Sequence, residues 1–356
     1  MTLTSRALRD ASDPKDAARV DQVLSGVGRK IRRAMLDAIP DAEPHKWLYE
    51  LVRAYPGRPG KAIRPSLCLA TCRAFGGSDD DAFPVAVAIE MLHNAFLVHD
   101  DIADGSERRR GRPTLPAHYG QALSLNAGDA MVVLANQILR HHARSLDPGL
   151  ADQVLEEFDM MAFRTLEGQA TELGWRRDRV TDLSPEDYLD LILHKTCWYT
   201  TIHPLRVGAM LGGAEPANVH AMVRFGFYLG AAFQIRDDLL NLTGDEEVYG
   251  KEINGDLYEA KRSLALIHLG TEVRGEDAVV LSDYLSVDRP ERTVAMIESV
   301  RVLFDKYGSI EFAREYAEGI AAAAVTAYEE AFAGCAEGED AQFVRALIPY
   351  MLGRAA

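Results

Sequence analysis

Apolar residues recur at three- and four-residue spacing along most of the chain, which is typical of amphipathic α-helices. Strict alternation of apolar and polar positions, the pattern of a half-buried strand, is hard to find. Short segments rich in Gly, Pro and acidic residues interrupt the pattern, and none is long enough for a domain linker. We therefore predict an all-α protein with a flexible N-terminal tail over 1–15 and one large domain over 16–356. Long helices are predicted over 17–39, 82–104, 118–143, 151–173, 185–211, 216–242 and 310–333.

The composition excludes several classes of protein. The 356 residues carry 39 Lys+Arg against 54 Asp+Glu, a formal net charge of −15, which argues against a nucleic-acid partner. The 4 cysteines lack CxxC spacing and indicate reduced core thiols of a cytoplasmic protein. The start of the chain lacks the apolar segment of a signal peptide. No uncharged apolar run approaches the ~18 residues of a membrane helix, so no membrane span is expected.

Aspartates recur in two similar helical segments. Asp100 and Asp104 are four residues apart and project from one helix face. Asp237 and Asp238 follow an Ala-Phe pair at the same distance as Asp100 and Asp101 do. Like charges at this spacing destabilise a helix, and burying them among apolar neighbours is costly unless a cation compensates. Carboxylate oxygens suit Mg²⁺, which is commonly shared with substrate phosphates, so the two aspartate motifs predict a Mg²⁺ site; a solvated acidic surface is the alternative.

Two basic segments interrupt the acidic balance of the chain. Lys61 and Arg64 precede Pro65, a residue suited to the first turn of a helix, whose free N–H groups favour anions. The arginine-rich residues 108–112 begin four residues after the first aspartate motif. Arginine matches phosphate oxygens with two parallel hydrogen bonds. Alone, such a run is usually a solvated patch, but its position beside the carboxylates favours phosphate binding.

In this order the motifs resemble the trans-isoprenyl diphosphate (polyprenyl) synthases, especially bacterial geranylgeranyl diphosphate synthases. The resemblance covers roughly residues 45–270 and implies an all-α bundle around a deep central cavity, usually as a homodimer. It also implies a Mg²⁺-dependent, head-to-tail condensation of isopentenyl diphosphate with an allylic diphosphate (dimethylallyl, geranyl or farnesyl). The matching residues are Gly60, Lys61, Arg64, Pro65, His93, Asp100, Asp101, Asp104, Arg109, Arg110, Gly111, Pro113, Gly168, Gln169, Lys195, Thr196, Phe233, Gln234, Asp237, Asp238, Gly250, Lys251, Gly255, Asp256 and Lys261.

The resemblance implies roles for these residues. Asp100 and Asp104 would hold two of about three Mg²⁺ ions and Asp237 the third, and Asp101 and Asp238 are predicted with them as metal-binding residues. The allylic diphosphate would contact Arg109, Lys195 and Lys251, and isopentenyl diphosphate would contact Lys61, Arg64, His93 and Arg110. Oxygens of Thr196 and Gln234 would stabilise positive charge on the allylic carbons. Asn241 stands where the family often has a third aspartate, and its amide is a weaker Mg²⁺ ligand.

Residues before the first aspartate motif predict the product. In the family, bulk at the fourth and fifth positions before the motif limits the growing chain. Here these are the aromatic Phe96 and the small Ala95, which implies the C20 product geranylgeranyl diphosphate. Met91 and Leu92 would close the cavity further down. A farnesyl or longer polyprenyl diphosphate synthase is the alternative.

Two other classes remain open. A class I terpene cyclase is also an α bundle with aspartate motifs, and residues 237–245 partly imitate its second motif. Cyclases have no need of an isopentenyl diphosphate site, whereas Lys61, Arg64 and Arg110 would build one. A non-catalytic partner subunit of a synthase is the other class; the intact aspartates argue against it, because such subunits lose their metal ligands.

Overall fold

The computed structural model describes residues 14–244 and 253–353, which form a bundle of helices. A short hairpin pairs β1 (Arg108–Arg109) with β2 (Arg112–Pro113) in antiparallel register. The α-helices are α1 (Pro14–Ala38), α2 (Glu50–Ala54), α3 (Ile63–Ala74), α4 (Asp79–Asp104), α5 (Leu115–Tyr119), α6 (Gln121–Ala143), α7 (Pro148–Arg177), α8 (Pro185–Ile192), α9 (His203–Leu211), α10 (Pro216–Thr243), α11 (Gly255–Glu259), α12 (Leu264–Glu272), α13 (Glu276–Ser286), α14 (Val294–Tyr307), α15 (Ser309–Ala331) and α16 (Glu339–Gly353). Two π-helical segments, His45–Tyr49 and Leu193–Ile202, and a 3₁₀ turn at Arg289–Glu291 complete the elements.

The all-α prediction is confirmed, and the predicted helices differ from the observed ones mainly at their ends. The range 118–143 is divided at Gly120, whose φ of +80° ends α5 before α6 begins. The range 185–211 is continuous helix, but its middle is the π-helical segment Leu193–Ile202. The proposed boundary between tail and domain stays a prediction, since residues 1–13 lie outside the described residues.

Local sequence determines where α4 starts and stops. Ser78 and Asp81 form a reciprocal capping box at its N-terminus, and Gly105 ends it with a φ of +62°. The first aspartate motif therefore occupies the last turn of α4, which has no basic residue of its own. Helix carbonyls make this end partly negative, so carboxylates there need cations from elsewhere.

Two hydrophobic clusters form the core. One contains much of α4 and α6, and the other contains α10, α12 and α15. Phe96 of α4 packs against the first cluster and Phe233 of α10 against the second. Since both rings line the same cavity, that cavity lies between the two clusters.

Glycines bring the π-helical segment Leu193–Ile202 close to its neighbours. A Cβ at Gly168 of α7 would lie 2.2 Å from the backbone nitrogen of Lys195. On the other side, a Cβ at Gly226 of α10 would lie 2.8 Å from Cα of Ile202. Only a residue without a side chain permits these approaches, so α7 and α10 position the segment tightly.

Two helices are long and apolar enough to cross a membrane, judged by length and composition alone. The apolar window of α4 is 72% buried within the fold, and that of α6 is 39% buried. Core helices commonly meet the same criterion, so this is weak evidence for a membrane. The expectation that the chain has no membrane span stays a prediction.

Candidate active site

A cavity of about 710 Å³ lies between α4, α7, the π-helical segment and α10. It brings together both aspartate motifs and both basic segments, which are far apart in the chain. The predicted site residues that line it are Lys61, Arg64, His93, Phe96, Asp100, Arg109, Arg110, Lys195, Thr196, Gln234, Asp237 and Asp238. Asp104 lines a smaller pocket that shares Asp100 with the main cavity. Lys251 lies outside the described residues.

Asp101 differs from its neighbours in the first aspartate motif. It is fully buried, and its two oxygens accept hydrogen bonds from Tyr55 Oη and from Arg109 Nε, the latter at 2.7 Å. Burial raises the pKa of the Asp101 carboxyl, although Arg109 opposes that shift. Both oxygens are thus used within the protein, contrary to the expectation that Asp101 binds metal directly. The geometry instead favours a role in orienting Arg109, whose guanidinium also lies 3.5 Å from Asp100.

Asp104 lies between two cations. Its Oδ1 accepts a hydrogen bond from Arg176 at 2.8 Å, and its Oδ2 lies 3.6 Å from Lys261 Nζ. Arg176 was not predicted from the sequence, although its spacing of four residues from Glu172 on α7 was a usable signal. These contacts supply the positive charge that the last turn of α4 lacks.

Lys195 connects the π-helical segment to the first aspartate motif. Its Nζ donates to Glu172 Oε1 at 2.6 Å and lies 3.8 Å from Asp100 Oδ1. Burial acts to raise the pKa of Glu172, but Lys195, Lys261 and Arg176 outweigh it and hold that pKa below its usual range. The site therefore keeps an ionised acid and a protonated amine side by side.

The second aspartate motif is linked to the π-helical segment by a chain of hydrogen bonds. Thr196 Oγ1 donates to Gln234 Oε1 at 2.9 Å, and Gln234 Nε2 donates to Asp238 Oδ1 at 2.7 Å. Tyr188 Oη donates to the other oxygen of Asp238 at 2.7 Å. Burial, together with the negative charges of Asp256 and Asp237, raises the pKa of Asp238 to about 7. Asp238 thereby fixes the orientation of Gln234 towards Thr196.

Asn241 holds neighbouring backbone. Its side-chain oxygen accepts a hydrogen bond from the backbone N–H of Asp256 at 3.0 Å, and its carbonyl accepts from that of Asn254 at 2.8 Å. These contacts tie the start of α11 to α10. The amide that replaces an aspartate thus has a structural partner within the described residues.

Two of the residues predicted to bind isopentenyl diphosphate, Arg64 and His93, contact Tyr199, which the sequence motifs did not indicate. The Arg64 guanidinium lies 4.2 Å from the centre of the Tyr199 ring and donates to Thr200 Oγ1 at 2.8 Å. His93 and Phe96 contact the same ring, with centres 5.8 and 5.9 Å away. Tyr199 therefore joins the predicted diphosphate site to the predicted path of the hydrocarbon chain.

Glu90 is a second residue that the sequence motifs did not indicate. It lies one helical turn before His93, lines the cavity, and is buried. Burial raises its pKa, while the nearby Arg64 and Arg110 oppose that shift. Its Oε2 has no hydrogen-bond partner within the described residues. An acid between two arginines limits the local excess of positive charge.

Of the four predicted chain-length residues, Phe96 lines the cavity. Ala95, Met91 and Leu92 are buried in the α4–α6 cluster and do not line it. Their influence on product length would have to act through the packing behind Phe96, and it stays a prediction.

The donor set fits a divalent cation. Asp100 and Asp237 line the cavity from opposite helices, and the pKa of Asp238 beside them is raised first by burial and then by the negative charges of Asp256 and Asp237. Among the described residues, no three His, Cys, Asp or Glu side chains already converge as a complete metal site. Mg²⁺ is usually held by one or two carboxylates, with water and substrate phosphate as its other ligands.

Residues 45–302 match the family model of the polyprenyl synthetases, and the chain belongs to this family. A short chain isoprenyl diphosphate synthase of Methanothermobacter thermautotrophicus is 33% identical over 72% of this chain and 76% of its own length. A geranylgeranyl diphosphate synthase of Sulfolobus acidocaldarius is 37% identical over 58% of this chain and 62% of its own length. A (2E,6E)-farnesyl diphosphate synthase of Mycobacterium tuberculosis is 37% identical over 61% of this chain and 59% of its own length.

The fold agrees with this relationship. The polyprenyl synthase of Caulobacter crescentus, solved with calcium and isoprenyl diphosphate, superimposes with a TM-score of 0.83 and 26% identity, covering 96% of this chain and 98% of its own. The resemblance drawn from the motifs is therefore confirmed, and the chain is an isoprenyl diphosphate synthase, a prenyltransferase of isoprenoid biosynthesis.

Proposed function

We propose that this enzyme condenses isopentenyl diphosphate head-to-tail with dimethylallyl, geranyl and farnesyl diphosphates, with geranylgeranyl diphosphate as its main product. The observation that carries the proposal is the meeting of two aspartate motifs and two basic segments in one cavity. About three Mg²⁺ ions at Asp100, Asp104 and Asp237 would supply the charge that stabilises the leaving diphosphate. Relatives named for isoprenyl diphosphate synthesis, one of them solved with calcium, support this assignment.

The residues of the chain perform the remaining tasks in this proposal. Arg109 and Lys195 bind the allylic diphosphate at the end of α4, and Lys251 joins them. When the allylic C–O bond breaks, their charge stabilises the diphosphate, while oxygens of Thr196 and Gln234 face the cationic carbons. The double bond of isopentenyl diphosphate then forms the new C–C bond, and a proton leaves to the released diphosphate.

Lys61, Arg64, His93 and Arg110 hold isopentenyl diphosphate against the allylic substrate, so that reaction becomes effectively intramolecular. The rings of Phe96 and Tyr199 line the route of the hydrocarbon. They exclude water, which would otherwise capture the carbocation.

The product assay tests this proposal. Purified enzyme is incubated with Mg²⁺, isopentenyl diphosphate and each allylic primer, and the products are separated by chain length. We expect a linear C20 diphosphate; a C15 or longer-chain end product would correct the length, and relatives carry both geranylgeranyl and farnesyl names. A hydrocarbon would indicate a class I terpene cyclase, and no product would indicate a non-catalytic partner subunit. Lys61, Arg64 and Arg110 in the cavity wall favour the synthase, because a cyclase needs no second diphosphate site.

We also propose that the enzyme is a cytoplasmic homodimer that associates through α6 and α7. Val133 and Phe163 on these helices are 55% and 68% exposed, which is costly for large apolar side chains in water. A second copy of the chain would cover them. Light scattering after gel filtration should give twice the monomer mass, and Phe163→Glu should shift the protein towards the monomer.

A further inference from the structure

Arg176 lies between two carboxylates at the edge of the aspartate site. Its Nη2 donates to Asp104 Oδ1 at 2.8 Å, and its Nη1 lies 3.6 Å from Glu259 Oε2. The Arg176 side chain is 15% exposed, and both carboxylates are buried more deeply. Water and salt screen such pairs weakly, so the charge of Arg176 acts strongly on Asp104.

Asp104 has little capacity left for a metal ion in this arrangement. Arg176 occupies Oδ1, and Lys261 Nζ lies 3.6 Å from Oδ2. A divalent cation at Asp104 must displace or weaken at least one of these contacts. It also meets the repulsion of the remaining positive charge. Both effects lower the affinity of the site for metal alone.

Glu259 offers Arg176 a second partner. Its Oε1 accepts a hydrogen bond from Arg289 at 3.0 Å, and its Oε2 lies 3.2 Å from Lys261 Nζ, the same amine that lies near Asp104. A rotation of the Arg176 guanidinium towards Oε2 would close a gap of 3.6 Å to hydrogen-bond distance. Arg176 would keep a buried counterion, and Asp104 would become available.

We infer that Arg176 is a positioning residue that competes with the divalent cation for Asp104 and transfers to Glu259 when the metal binds. The inference rests on the proposed function, because it takes Asp104 as a metal ligand. The same arrangement also couples metal binding to diphosphate binding. Lys261 lines the main cavity, so a bound diphosphate draws its amine away from Asp104 and adds oxygen ligands for the metal.

Metal affinity measured without turnover tests the inference. The full chain is titrated with Mn²⁺, a paramagnetic substitute for Mg²⁺, and free Mn²⁺ is followed by electron paramagnetic resonance, with and without inorganic pyrophosphate. Arg176→Gln should lower the Kd for Mn²⁺ alone on the order of tenfold, with a smaller change when pyrophosphate is present. The control is Arg177→Gln, since Arg177 is 80% exposed and pairs with Asp178. The Kd of this variant for Mn²⁺ should equal that of the unmodified enzyme.

Glu259→Gln provides an independent test, in which the Kd for Mn²⁺ should change in the opposite direction. Without its second partner Arg176 stays on Asp104, so Mn²⁺ should bind more weakly, and in the Arg176→Gln background the same change should have little effect. A raised or unchanged Kd in Arg176→Gln, in protein whose circular dichroism and thermal unfolding are intact, overturns the inference. If Arg176→Gln does not fold, an unchanged Kd in Glu259→Gln overturns it. Absence of Mn²⁺ binding by the unmodified enzyme, even with pyrophosphate, would instead refute the proposed function.

Discussion

Replacing Gly168 by Ala should impair catalysis through a single methyl group. The new Cβ would lie 2.2 Å from the backbone nitrogen and 2.6 Å from Cα of Lys195, far inside contact distance. Backbone cannot rotate away as a side chain can, so α7 and the π-helical segment must separate by roughly 1 Å or more. Overpacking of this kind costs about 1–3 kcal/mol of stability. Displacing Lys195 and Thr196 by about 1 Å should lower kcat about 100-fold.

Gly174 is a matched control on the same helix. A Cβ at Gly174 has no atom within 4 Å, so Gly174→Ala should keep full activity and gain about 0.5–1 kcal/mol from the better helix propensity of Ala. Initial rates with isopentenyl and allylic diphosphates, and denaturant unfolding, would be measured for both variants. If Gly168→Ala matched Gly174→Ala in rate and stability, the close approach of Gly168 to the backbone of Lys195 would not matter for function, and the reasoning would be wrong.

Three further predictions follow from the described contacts. Asp101→Asn removes the shorter and fully buried of the two ion pairs of Arg109 and should cost about 3–5 kcal/mol in denaturant unfolding. Asp37→Asn, in an exposed pair with Arg33, should cost under about 1 kcal/mol, and equal costs would contradict the role of Asp101. Phe96→Ala should lengthen the product in the chain-length assay, because its ring lines the cavity, and an unchanged product would exclude Phe96 as a limit. Burial, reinforced by Arg206, lowers the pKa of His203 to about 3, so below about pH 6.5 the unfolded chain binds more protons than the folded chain and the free energy of unfolding falls as pH falls. Between pH 7 and 5 this loss should be about 2 kcal/mol. His203→Phe should remove that part of the pH dependence of the unfolding free energy.

The sequence predicted those parts of the site that depend on residues close together in the chain. The spacing of Asp100 and Asp104 is a property of one helix. The resemblance to the polyprenyl synthases implied that Lys195 and Gln234 belong to the same site, and both line the cavity. The helical period also predicted α10 over 216–242, close to the observed Pro216–Thr243.

What the sequence could not predict depends on contacts between distant residues. Tyr55 lies 46 positions before Asp101, so nothing local marks Asp101 as buried and engaged. Arg176 reaches Asp104 across 72 positions for the same reason. The amide of Asn241 was expected to matter as a weak metal ligand, but tertiary packing gives it a backbone N–H as partner. Apolar periodicity also cannot separate a π-helical segment from the α-helices that continue it on both sides.

The π-helical geometry of Leu193–Ile202 restricts how this stretch can change in length. A π-turn closes its hydrogen bond over one more residue than an α-turn, so deletion of one residue would permit a regular α-helix through the same span. The α-helices on the two sides would keep their rotation about the helix axis, because the wider π-turn is what accommodates the extra residue. Residues within the former π-helical segment would shift relative to these flanks, so the apolar packing of the flanks would be kept while Thr196 would lose its hydrogen bond to Gln234. A single deletion here would therefore separate the ability to fold from the ability to catalyse, although every functional residue type would be retained.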